Sequence, residues 1–119
     1  MSALRRWLAR LNETDEERLA AETRAWAASL PGSVRVAEAP RRQQVRMAGV
    51  IRRITVLPME GAEALEALIS DGSGEVTAVF MGRRGIGGLA LGSRIVVEGV
   101  VAEHHGEARM VNPLLEFAR

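Results

Sequence analysis

The chain contains no cysteine, no lysine and no tyrosine in 119 residues. Without cysteine there are no disulfides, no thiolate nucleophile and no cysteine-type zinc site. His104 and His105 are then the only imidazoles. Aromatic side chains are reduced to Trp7, Trp26, Phe80 and Phe117, which leaves few surfaces on which a ring or base can stack. No apolar run approaches the roughly 20 residues that a membrane helix needs, so no membrane association is expected. The N-terminus has arginines but neither a continuous apolar segment nor a small-residue cleavage site. A secretory signal is therefore not expected, and the cytoplasm is the expected compartment.

What the chain does have is arginine, which supplies all sixteen of its cationic residues. A GC-rich genome and a need for planar, bidentate phosphate contacts both account for that choice. The formal net charge of +1 conceals an uneven distribution. Residues 1–34 carry five Arg and five acids, residues 35–58 carry six Arg against Glu38 alone, and residues 59–119 carry five Arg against nine acids. Length and composition suit one soluble globular domain with an appendage.

The organising stretch is Asp71-Gly72-Ser73-Gly74, flanked by the apolar runs Leu65-Glu-Ala-Leu-Ile-Ser70 and Glu75-Val-Thr-Ala-Val-Phe80. An Asp-Gly turn between apolar runs predicts a β-hairpin, because glycine reaches positive φ and aspartate bonds its own backbone. Residues 1–32 read as a helical extension. Leu4, Trp7, Leu8 and Leu11 recur at three- and four-residue spacing. A break is expected near Asn12, and Thr14-Asp15-Glu16-Glu17 has the capping-box form that starts a second helix, which Pro31-Gly32 ends. The two tryptophans are expected to pack this helical pair onto the sheet or onto a second chain. Residues 33–44 are expected to be a linker.

Residues 45–56 predict a long first strand. Val45, Met47, Gly49 and Ile51 share one face, and Arg46, Ala48, Val50 and Arg52 the other. The pair Arg52-Arg53 breaks that alternation, which predicts a bulge between residues 49 and 53. Residues 58–63 read as a polar turn. Residues 82–92 are too rich in glycine for a helix, residues 94–102 form a further strand, and residues 103–107 turn it into a last strand over 108–111, ended by Asn112-Pro113.

A helical start, a coiled long strand, a hairpin, a connector and a second hairpin make a mainly β chain, with the layout of a five-stranded Greek-key OB-fold barrel over residues 45–119. The sequence also resembles OB families in Val45-x-Met47-x-Gly49-x-Ile51, in Asp71-Gly72-Ser73-Gly74 followed by Val76, and in Arg94-Ile-Val-Val-Glu-Gly-Val100. These are similar to the first four strands of anticodon-binding-type OB domains. Met110-Val111-Asn112-Pro113 is similar to the end of the OB wedge of branch-migrating helicases. Gly82-Arg83-Arg84-x-Ile86-x-Gly88 resembles small stand-alone OB proteins of actinobacterial type, usually described as nucleic-acid binding. The resemblance spans roughly residues 45–117 and implies a fold more firmly than a ligand.

OB domains hold single strands across strands 2 and 3 and the adjoining loops, with cations on phosphates and aromatics under bases. Arg41, Arg42, Arg46, Arg52, Arg53, Arg83 and Arg84 are the candidate phosphate contacts, and the alternative is that they are ordinary solvated strand-edge charges. The alternation puts Phe80 with Val76 and Ala78, in the core rather than on a binding face. Glu60, Glu63, Glu103 and Glu107 in the loops oppose phosphate. Adjacent residues on a strand point apart, so His104 and His105 are not expected to chelate one ion, and Asp71 is expected to be a turn residue. No catalytic constellation, metal site or cofactor is expected. The reading is a non-enzymatic module for single-stranded or distorted DNA or RNA. The alternative is a protein-interaction or homo-oligomerisation module that uses the Trp-bearing helices and barrel.

Overall fold

The computed structural model describes residues 2–59 and 61–118, with the backbone alone at 2, 9–14 and 59. The chain is mainly β: one long helix, α1 (Ser2–Ser29), precedes seven strands of a single sheet. The strands are β1 (Gln44–Met59), β2 (Ala62–Ser70), β3 (Glu75–Met81), β4 (Arg94–Val100), β5 (Ala102–His104), β6 (Glu107–Val111) and β7 (Leu114–Phe117).

The expected break near Asn12 is absent, and α1 is one continuous helix. No glycine or proline interrupts residues 2–29. Asn and Thr cost a helix interior only some tenths of a kcal/mol each, too little to divide it. The two tryptophans therefore do not meet in a helical hairpin. They lie nineteen residues apart on one helix, about 28 Å along its axis. The helix ends as anticipated at Pro31-Gly32, with Gly32 at φ 76°. The Ser33 hydroxyl lies 2.8 and 2.9 Å from the carbonyl oxygens of Ala27 and Leu30 and donates to this C-terminal end.

The C-terminal part of α1 is fastened to the sheet. Ala27 packs with Ala48 of β1 and Val96 of β4, and Trp26 and Leu30 close over them. The Arg94 guanidinium lies 4.9 Å from the Trp26 ring centroid. Arg24 Nη1 donates to the Gly72 carbonyl at 3.0 Å.

Residues 33–44, read as a linker, lie against the sheet instead. Val36 and Ala39 are buried in the main core, and Val36–Glu38 forms a 3-10 turn. The anchor is Asp71, the one buried charged residue among those described. Its Oδ2 accepts from the Val36 amide at 2.9 Å. Its Oδ1 accepts from the amides of Ser73 and Gly74 at 2.8 and 3.2 Å and from the Ser73 hydroxyl at 2.6 Å. One carboxylate thus shapes the β2–β3 turn and holds the entering chain upon it.

The sheet order is β5-β6-β3-β2-β1-β4-β7. All pairings are antiparallel except that of β3 with β6. The central hairpin forms as predicted, with Ser70 opposite Glu75. The long first strand also forms, and its register slips between Ile51 and Arg53, where a bulge was expected. Gly49 is required just before the slip, since a Cβ there would lie 2.6 Å from Ile69 Cγ2 and 2.7 Å from the Ser70 carbonyl oxygen. The polar turn expected over 58–63 is shorter: β1 and β2 pair as far as Met59 and Ala62. Glu60 lies outside the described residues.

Seven strands stand where five were expected, for two local reasons. The run after Arg94 divides at the buried Val101, so that β4 pairs with β1 while β5 pairs with β6. Val101 is bound on both sides by the incoming chain, its amide donating to Gln43 and its carbonyl accepting from Arg42. The tail after Pro113 then adds β7 beside β4. β4 and β5 are one residue apart yet sit sixth and first in the order, so the sheet curls back on itself although its hydrogen-bonded ladder is not closed into a barrel.

The concave side holds Met47, Ile51, Leu65, Ile69, Phe80 and Met110 among others, each almost fully buried. Full burial of such a side chain contributes about 1.5–3 kcal/mol. Ile86 and Leu89 of the glycine-rich connector pack against this core. Phe80 is in the core, as the alternation required.

Asp71→Ala removes four accepted hydrogen bonds and leaves the Val36 amide without its partner. The expected loss is about 3 kcal/mol. Thermal unfolding monitored by circular dichroism should show a midpoint lower by roughly 10 °C.

Candidate functional site

Alternation along the strands defines the outward face of β2, β3 and β6. With Leu65, Ala67 and Ile69 facing the core, Glu66 and Leu68 face out; with Val76, Ala78 and Phe80 inside, Thr77 faces out, and Val79 on the same side is covered and buried. The same rule puts Arg109 outside, between the inward-facing Ala108 and Met110. The register aligns Arg53, Leu68, Thr77 and Arg109 in one row across four strands. The next row is Thr55, Glu66, Val79 and Val111.

Two adjoining hollows run along this face. One, of about 340 Å³, has Arg41 and Arg53 in its lining with Leu68, Thr77, Glu75 and Glu107. The other, of about 250 Å³, is lined by Glu66, Thr77, His104, Glu107, Ala108 and Arg109. They share Thr77, Glu107 and Ala108 and so form one groove. Its cations are Arg41, Arg53 and Arg109, and its carboxylates are Glu66, Glu75 and Glu107. Arg109 Nη2 and Glu66 Oε2 are 3.3 Å apart, with both side chains about three-quarters buried. No tryptophan, tyrosine or phenylalanine lines either hollow, and His104 is the one ring there.

The sequence-derived arginines are distributed over several surfaces. Arg41 and Arg53 line the groove just described. Arg42 is exposed, with φ 64°, its amide bound to the Val101 carbonyl at 2.7 Å. Arg46 reaches Glu116 of β7 at 3.3 Å, on the portion of β1 beside β4. Arg52 lines a separate hollow of about 660 Å³ between α1 and the sheet, together with Arg94. The bulge keeps both neighbours on the outward side of the sheet, where they line different hollows. Arg83 is exposed beyond β3, and Arg84 Nε is 2.9 Å from Glu63 Oε2. Thr77 and Met81, near which these two emerge, are about 13 Å apart along the strand.

Arg109 is the residue that sequence reasoning missed. Its signal was the Ala108-x-Met110 alternation, overlooked because the arginine-rich segment lies elsewhere in the chain. The histidines lie at the hairpin turn expected over residues 103–107. Their ring centroids are 4.2 Å apart at 71°, because His105 sits in the turn at φ 52° rather than on the strand. Among the described residues no group of three or more His, Asp or Glu is arranged to hold a metal ion.

A further surface belongs to α1. Leu4, Trp7, Leu8 and Leu19 are 63, 56, 47 and 59% exposed. No helix among the described residues is long and apolar enough to cross a membrane.

Neither a protein-family profile nor a curated protein matches the chain.

The ion pairs differ in what they contribute. Arg84 is 82% exposed, so Arg84→Ala should alter stability by less than about 0.5 kcal/mol. Glu66→Ala leaves the Arg109 guanidinium largely buried without its partner and should cost about 1.5 kcal/mol. Urea denaturation of the two variants checks the contrast.

Proposed function

We propose that the chain is a non-enzymatic OB-fold module that binds single-stranded or distorted nucleic acid along the groove over β2, β3 and β6, through arginine–phosphate contacts. The observation that carries the reading is the convergence of Arg41, Arg53 and Arg109 on that one groove. The strand order supports the fold assignment. With β4 and β5 taken as one interrupted strand and β6 as the fifth, the neighbours run 1-2-3-5-4 and the fourth returns to the first, with the 3–5 pair parallel. That is the order of an OB fold, whose ligand face is strands 2 and 3.

The chemistry of the groove indicates how such a ligand is held. Leu68 and Thr77 form a low floor between Arg53 and Arg109, over which a backbone can pass while its phosphates meet the guanidiniums. Three carboxylates in the same groove oppose a polyanion and limit the affinity. Without an aromatic platform, the roughly 1–3 kcal/mol per base that stacking supplies elsewhere is missing. Binding is therefore modest, tolerant of sequence and dependent on salt.

Fluorescence anisotropy with labelled single-stranded DNA, single-stranded RNA and duplex tests the reading. Single strands should bind at low ionic strength, and the log–log salt slope should fall by about 0.7 for each phosphate contact removed in Arg53→Ala and Arg109→Ala. Arg46→Ala, which lies on the part of β1 beside β4 and outside the groove lining, should leave the slope unchanged. Absence of binding to all three probes at low salt refutes the proposal.

A further inference from the structure

The single ring in the groove over β2, β3 and β6 belongs to His104 of β5. Register puts it there: Ala102 stands opposite Arg109 and His104 opposite Glu107. Cross-strand neighbours share a face, so Ala102 is on the outward side with Arg109, and His104, two residues on, is on that side too. The His104 side chain accordingly lines the same hollow as Glu66, Thr77 and Arg109, and it is exposed.

A neighbour holds this ring. His105 and Gly106 alone close the β5–β6 hairpin, both at positive φ, 52° and 81°. A two-residue turn of this kind ordinarily takes Asn-Gly or Asp-Gly. Histidine in the first place instead sets a second imidazole beside His104, with ring centroids 4.2 Å apart and planes at 71°. Such an edge-to-face contact restricts the rotation of both rings. It leaves at least one face of His104 clear of His105.

We propose that His104 is the base contact of the groove, an imidazole on which one unpaired base stacks while Arg109 holds a neighbouring phosphate. The assignment depends on nucleic acid occupying the groove, as proposed above. Reach supports the pairing, since His104 lies two residues, about 7 Å, along β5 from the position opposite Arg109. A base stacked within a duplex offers no free face, so the contact selects single strands. It is tolerant of sequence, because every base has a π-face. An imidazole is smaller than the rings that usually serve, and the expected gain is about threefold in affinity, below that of an aromatic platform.

Two labelled DNA strands of equal length, one of thymidine nucleotides and one abasic, separate base contacts from phosphate contacts in fluorescence anisotropy at low ionic strength. The unaltered chain should bind the base-bearing strand about threefold more tightly. His104→Ala should bind both strands as the unaltered chain binds the abasic one, and His104→Phe should restore the preference. Circular dichroism should show the thermal midpoint unchanged in both variants, since the side chain is exposed at the end of β5. Arg53→Ala should weaken both strands equally. Equal affinity of the unaltered chain for the two strands overturns the base contact and leaves the groove reading in place. So does a preference that survives His104→Ala, or a loss in that variant that is equal for both strands. Failure of the unaltered chain to bind either strand refutes the groove reading, and the base contact falls with it.

Discussion

The buried carboxylate of Asp71 is the contact on which the rest of the structure depends. A charged group with so little solvent access persists only where its lone pairs are occupied. Here the occupants come from two distant pieces of chain, the 71–74 turn and the Val36 amide. The turn fixes the register of β2 and β3 and thereby which side chains face outward. The Val36 contact holds the segment that leads from α1 into β1, and with it Arg41 at the edge of the groove. Fold and candidate site are thus coupled through one side chain.

A second constraint is the bulge after Ile51. By altering the alternation there it gives β1 two functions, one for each part of its length. Before it, the outward residue Ala48 is small enough for α1 to dock on. After it, Arg53 joins the row that crosses β2, β3 and β6. The two surfaces this produces are chemically different. One is a shallow groove of balanced charge; the other is the hollow beneath α1, where carboxylates outnumber guanidiniums.

Much of the sheet was legible in the residues because the deciding signals were local. Asp71-Gly72 named the hairpin, the Val45-x-Met47-x-Gly49-x-Ile51 alternation named the buried face of β1, and Arg52-Arg53 marked the slip. What escaped depended on partners distant in the chain. The capping box at residues 14–17 is a start signal only where the preceding chain departs from the helix, and here it does not. Val36 and Ala39 looked like a linker because their burial rests on Asp71 and the core, residues far along the sequence. β7 is recognisable only beside β4. The candidate site was legible in part: Arg41 and Arg53 converge as arginine-rich neighbours of β1, but Arg109 enters through the parallel pairing of β3 with β6, which no short-range pattern encodes.

The central claim is that nucleic acid lies over the row formed by Arg53, Leu68, Thr77 and Arg109. Amide chemical-shift mapping during titration with a short single-stranded oligonucleotide addresses it residue by residue. The account predicts perturbations concentrated on these four residues and on Arg41, with the amides of α1 from Leu4 to Leu8 unmoved. A perturbation pattern confined to α1 and the hollow beneath it, or no perturbation at low ionic strength, would contradict the account.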